Sequence, residues 1–239
     1  SAPCRKVVAD RLHALDAREI AAVLLPIAAD SPAKQAYVLG FLCHFLLDTN
    51  AHPYIEARFS GKAHTPAEIQ IDLMMTGRLL EPGVPAPPKK FYRTPDLNEL
   101  DALHASLAQT LFGLGEKGAF ARSFRKWMRI NTISYDPHNR KLRFFTGLER
   151  LFKTPGKLTG FLVARHPDPG DRLNLQHAIW RAPWRPDEAR TESFPELFER
   201  ACAEAPALLN AALDAMESNL RESGSLSAVL SLIGARRMD

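Results

Sequence analysis

Cysteine is scarce. Cys4, Cys43 and Cys202 are the only three in 239 residues, far apart and odd in number. That excludes a disulfide framework and a thiolate zinc site, both of which need paired cysteines. Long apolar runs are missing as well: Ile20–Ala29 and Tyr37–Leu47 fall short of the roughly 18 residues that cross a bilayer, and His44 interrupts the second. Ser1–Asp10 holds no apolar core of a signal peptide. Alternating strand patterns are rare, with Leu158–Ala164 the one candidate, and no repeat of fixed period is visible. Nothing visible demands export, so the default compartment is the cytoplasm. The chain opens on Ser1 rather than Met, which reads as part of a longer protein with further residues upstream.

What is present is a globular composition, 46% hydrophobic and 24% charged, which rules out disorder and low-complexity architectures. Helical periodicity dominates. Val7–Ile27 repeats apolar residues at three and four spacing, as one helix or a pair. Ser31-Pro32 starts the next helix, which runs to about Thr49 and ends before Pro53. Thr65-Pro66-Ala67-Glu68 opens another with a capping-box pattern, ending near Leu80 before the proline-rich Glu81–Pro88. Asp96–Phe112, Glu116–Asn131, Leu142–Phe152 and Phe194–Glu222 complete the set. The expected fold is all-α, a single-domain multi-helix bundle over residues 1–239.

The net charge is +4, unevenly spread. From Arg122 to Lys157 ten basic residues face only Asp136 and Glu149. Such a stretch attracts phosphate on nucleic acid, on a lipid head group or on a small molecule, unless it is simply a solvated helix face.

Histidines and carboxylates form the chemically distinctive pattern. His44, Asp48 and His52 read H-x3-D-x3-H, His64 and Glu68 read H-x3-E, and His13 lies upstream. Residues four apart share a helix face, so His44 and Asp48 can aim an imidazole nitrogen and a carboxylate oxygen at one divalent cation. Imidazole with carboxylate suits zinc, and also manganese or iron. Around His44 the segment Tyr37–Asp48 is apolar on nearly every face, which predicts a buried helix and a strong partner for Asp48. In the bland alternative Asp48 pairs with His44 or a distant arginine, His52 ends an exposed helix, and Glu68 reaches back to Thr65 as a cap. Asp72, one turn past Glu68, is a candidate acceptor that orients a ligand imidazole. His177, Trp180 and Trp184 form either an aromatic wall for a quaternary ammonium or a packing corner. His104, His138 and His166 read as surface residues and Cys43 as core.

Ala36–Asp48 with His52-Pro53-Tyr54 resembles the signature helix of the bacterial zinc-dependent phospholipase C family. His64-Thr65-x-x-Glu68-x-x-x-Asp72 is similar to that family's next metal-binding helix, and Arg11-Leu12-His13 sits where members place another histidine ligand. The segment from Leu173-Asn174 through Trp184 to Phe198 resembles the closing part of the small bacterial members. The resemblance implies a helical fold around three zinc ions, the fold shared with the single-strand nucleases. His13, His44 and Asp48 would ligate one zinc, with Asp48 bridging towards a second, and His52, His64 and Glu68 would hold another. His52 is the least secure ligand, because its gap from Asp48 is shorter than in the secreted phospholipases. The third metal and an aspartate base would come from residues upstream, so no catalytic base is assigned and two or fewer sites are expected to be complete in this chain.

The activity implied is hydrolysis of a phospholipid phosphodiester by zinc-activated water, with an anionic membrane as a possible partner for the basic stretch. Two alternatives stand beside it. One is a nuclease of the same superfamily, since nucleic acid offers the same phosphodiester. The other is a non-catalytic helical module in which zinc contributes only folding energy.

Overall fold

The structure, a computed structural model, describes residues 11–12, 15–79, 96–164, 170–217 and 223–234. Among these residues the chain is helical and forms no strand. The helices are α1 (Ala17–Ala28), α2 (Pro32–Phe59), α3 (His64–Leu79), α4 (Leu97–Phe112), α5 (Ala119–Ser134), α6 (Arg140–Phe152), α7 (Phe194–Glu217) and α8 (Ser223–Ile233). Short 3₁₀ turns form at Gly61–Ala63 and Thr159–Phe161. The all-α expectation holds. The strand candidate Leu158–Ala164 instead contains the second 3₁₀ turn, and only Val163 makes an isolated bridge, to Tyr135. With no further strand to pair with, its ladder cannot propagate.

By contact the chain forms two compact units. The first comprises Ser1–His52, Thr94–Arg125 and Leu197–Asp239, and the second comprises Pro53–Arg93 and Lys126–Glu196. In the first, α1 packs against α4 and α8. Asp16 caps α1 by accepting from the Arg18 N–H at 2.9 Å, and Asp96 caps α4 by accepting from the Asn98 and Glu99 N–H groups. Gly113 ends α4 at φ 67°, a left-handed conformation that glycine adopts without steric cost. Leu24, Leu25, Leu42, Phe45, Leu103, Leu208, Val229 and Ile233 form the dry centre.

His104 belongs to this core and is not the surface residue expected. It stacks on Phe120 with centroids 4.1 Å apart and meets the edge of Tyr37 at 5.1 Å. Its Nε2 is sealed from solvent and has no hydrogen-bond partner among the described residues. Burial pushes its pKa down to about 4, against a smaller opposing pull from Asp101. The folded value lies below the unfolded one of about 6.5, so the unfolded chain binds the extra proton between those values. The stabilisation from a neutral His104 is therefore complete above about pH 6.5 and lost as pH falls towards 4, a difference of roughly 3 kcal/mol. Urea unfolding across this window should show that loss in wild type and a flatter profile in His104→Phe. Parallel profiles would refute the assignment.

The second unit is built from the end of α2, from α3, most of α5, α6 and the irregular connection before α7. Tyr54 is fully buried, donates to the Arg172 carbonyl at 2.7 Å, and meets Trp180 edge-on at 5.5 Å. Asn174, also fully buried, donates to the carbonyls of Ala178, Thr191 and Glu192 and so ties the connection into one body. Ser193 and Glu196 then form a capping box at the start of α7, with the Ser193 N–H donating to Glu196 at 2.7 Å.

Candidate metal centre

Helix α2 does not end at Thr49. It continues through Pro53 to Phe59, although proline removes the hydrogen bond to the Thr49 carbonyl. Nor is it apolar on every side: Ala36, Gly40, Cys43 and His44 are exposed and Asp48 is half-buried. The four-residue spacing lines His44, Asp48, His52 and Glu56 along one stripe, while Val38, Leu42, Phe45 and Leu46 face the core. This corrects the reading of Cys43 as core. It also removes the need for a strong Asp48 partner, because water reaches the carboxylate. No hydrogen bond or ion pair engages His44 or Asp48 among the described residues.

The stripe winds as it runs. Each four-residue step turns about 40° and rises about 6 Å, so Glu56 stands about 120° and 18 Å from His44. Its carboxy-terminal end meets the start of α3. The boundary between the units falls inside the unbroken α2, so the residues concerned, His52, Glu56 and His64, lie on thirteen consecutive positions of local chain. One ligand atom from each of the three lies within 4.8 Å of the others. Glu56 Oε1 is 2.8 Å from His64 Nδ1, and Glu68 Oε1 is 3.0 Å from His64 Nε2. Both nitrogens of His64 thus face carboxylates, one from each helix.

Glu68 does not serve as a cap. Its carboxylate turns to His64, and α3 begins at His64 itself, behind the 3₁₀ turn Gly61–Ala63. Asp72 makes no hydrogen bond to an imidazole among the described residues, and the carboxylate at His64 Nε2 is that of Glu68. Desolvation by the surrounding protein and, after it, repulsion from Glu68 push the Asp72 pKa up to about 6. His13 and His166 lie outside the described residues. His138 is exposed, as expected. At the aromatic cluster Trp180 is 3% exposed and the Arg190 guanidinium lies 4.4 Å over its ring, so the cation on this indole is the chain's own. That is the packing corner rather than an open wall for a quaternary ammonium.

Glu56 was not anticipated. The signal was present, because Glu56 extends H-x3-D-x3-H by one more step of four, but a helix ending before Pro53 would have put it in a loop. A second unanticipated feature adjoins His64. Lys62, Thr65, Pro66 and Gln70 face Lys157, Thr159, Phe161 and Arg172 across a cavity of ≈ 930 Å³. No acidic residue lines it among the described residues. Gln70 is 7% exposed, and its Nε2 has no hydrogen-bond partner among them. Gly160 permits the close approach of the two walls, since a Cβ there would sit 3.1 Å from Pro66 Cγ. The cavity therefore presents three cations, hydroxyls and an unused amide donor, a lining suited to an anion.

No protein-family model, no curated protein and no solved structure matches the chain. No helix among the described residues is long and apolar enough to cross a membrane.

Proposed function

We propose that this chain is a zinc-dependent phosphodiester hydrolase of the phospholipase C type. The observation that carries the reading is the grouping of His52, Glu56 and His64 with Glu68 behind His64. Two imidazoles and a carboxylate are a donor set that zinc accepts, and their 4.8 Å spread contracts to tetrahedral contact with small side-chain movements. His52, Glu56 and the Nδ1 of His64 would hold the ion, and Glu68 would accept from the opposite nitrogen, fixing the tautomer and raising the basicity of the ligand. A bound zinc there supplies Lewis-acid neutralisation of phosphate charge. His44 and Asp48, about two turns and one turn before His52, offer an imidazole and a carboxylate to a further ion, as the resemblance implies. Lys62, Lys157 and Arg172 would hold the anionic substrate in the adjoining cavity, with the Gln70 amide as an additional donor.

The test is turnover of a soluble bis-aryl phosphodiester, phosphatidylcholine and single-stranded DNA by zinc-loaded protein. Hydrolysis of the first two, lost by at least about a hundredfold in folded Glu56→Gln, is the expected result. Cleavage of DNA alone would replace the lipid by nucleic acid as the substrate.

A second reading is favoured by one observation. The only three-residue metal group among the described residues is His52, Glu56 and His64, and His44 stands outside it. A single site of that kind, without a second metal beside it, suits a metal-stabilised module without catalysis. Zinc retention with no hydrolysis of any of the three substrates would select it.

A further inference from the structure

We infer that the α5–α6 face of the second unit is a docking surface for anionic phospholipid bilayers. The inference does not depend on the metal reading. Apolar side chains lie open on this face: Ile133 is 64% exposed, Phe144 64%, Leu151 72% and Phe152 68%. They are not scattered singly. Ile130 and Ile133 of α5, Phe144 and Phe145 of α6, and Phe161 line one groove of ≈ 570 Å³, with Arg140 and Lys141 also in its wall. An open apolar surface of this continuity needs an occupant.

Charge identifies the occupant. From Lys126 to Phe161 the sequence holds eight basic residues and two acidic ones. Both acids are withdrawn from the surface. Asp136 is 3% exposed and accepts from the Arg140 and Leu142 N–H groups, and Glu149 is 5% exposed and accepts from the Gly156 and Thr159 N–H groups. No ion pair neutralises the eight cations among the described residues. The face shown to solvent is therefore basic and apolar together. On α5 the exposed positions Lys126, Arg129, Ile130 and Ile133 recur at three- and four-residue spacing, and on α6 the exposed pair Arg143 and Phe144 recurs seven residues later, about two turns on, as Arg150 and Leu151.

A bilayer interface satisfies both components at once. Aliphatic and aromatic groups enter the acyl boundary while the long arginine and lysine stems keep their charges at the phosphate level. Anionic lipid adds attraction for each cation near the surface. Nucleic acid would use the charge and leave the leucine and isoleucine side chains without a role, and a second copy of the same basic face would be repelled.

The experiment is co-sedimentation of the full chain with vesicles of phosphatidylcholine alone and of a phosphatidylcholine–phosphatidylserine mixture, at low and high salt. Binding to the mixture should exceed binding to phosphatidylcholine by at least about tenfold and weaken with salt. Arg143→Glu with Arg150→Glu should reduce it by about 25-fold or more, at about fivefold per charge near the surface. Ile133→Ser with Phe144→Ser should reduce it at both salt concentrations. These positions are open to solvent, so both variants should keep wild-type circular dichroism, zinc content and turnover of a soluble phosphodiester. Absence of vesicle binding would overturn the proposal, as would equal binding to the two vesicle types or unchanged binding in both variants. A wild-type dimer that the apolar variant dissociates, or tighter binding to single-stranded DNA than to vesicles, would also overturn it.

Discussion

His64→Ala should lose zinc. At His64 one imidazole has a carboxylate at each nitrogen, 2.8 Å away on the Glu56 side and 3.0 Å on the Glu68 side. Removing it deletes a donor and leaves two helices' carboxylates facing each other across the gap. Competition against a chromophoric chelator should show affinity falling by more than about a hundredfold, beyond the effect of losing an orienting group. Glu68→Gln keeps the ligand and weakens only its orientation, so a loss of about 10–100-fold is expected. His44→Ala should change affinity at this site little, since His44 is about 12 Å along the helix from His52. Affinity should also fall on acidification, because a protonated imidazole cannot ligate. If dialysed wild-type protein carries no zinc, or His64→Ala retains as much as wild type, the site is structural and the hydrolase reading falls with it.

Glu149→Ala should destabilise the second unit by about 3 kcal/mol, with a matching fall in the urea midpoint. Glu149 is a carboxylate 5% exposed, and no cation pairs with it among the described residues. Its oxygens instead accept from the N–H groups of Gly156, Leu158 and Thr159 and from the Thr159 hydroxyl. Burial alone would raise its pKa, but these donors outweigh burial and hold the carboxyl below its usual range. The folded value is thus the lower one, so this stabilisation is present above the unfolded carboxylate pKa of about 4.3 and is lost as pH falls below it. The same bonds shape the Gly156–Thr159 wall of the cavity beside His64. The alanine variant should therefore weaken binding of inorganic phosphate there as well as stability. A midpoint unchanged from wild type would mean that water replaces the carboxylate without cost.

Much of the candidate site was legible in the chain. Steps of four from His44 to His52, and from His64 to Glu68, identify helix faces because the α-helical repeat brings such residues together. The helix candidates beginning at Asp96 and Phe194 start where the structure places them, and there the Asp96 and Ser193–Glu196 side chains answer backbone N–H groups. The misreadings have two causes. Pro53 reads in the sequence as a stop, yet a single proline costs one hydrogen bond and some steric strain, which the packing of a 28-residue helix can offset. That one error hid Glu56. His104 was misplaced because its neighbours in sequence are polar, whereas the rings that bury it, Tyr37 and Phe120, come from elsewhere in the chain.

The sequence by itself determined the helical class, the stripe of metal-capable residues and the basic character of residues 122–157. These are local properties, set by repeats of three and four and by composition. Only the tertiary structure decided that His64 is shared between Glu56 and Glu68, that Lys62 and Arg172 face one cavity, and that Asp136 and Glu149 are turned inward so that only cations meet solvent. Each of these depends on which surfaces distant segments bury together, and pairing of that kind has no periodic signature along a single chain.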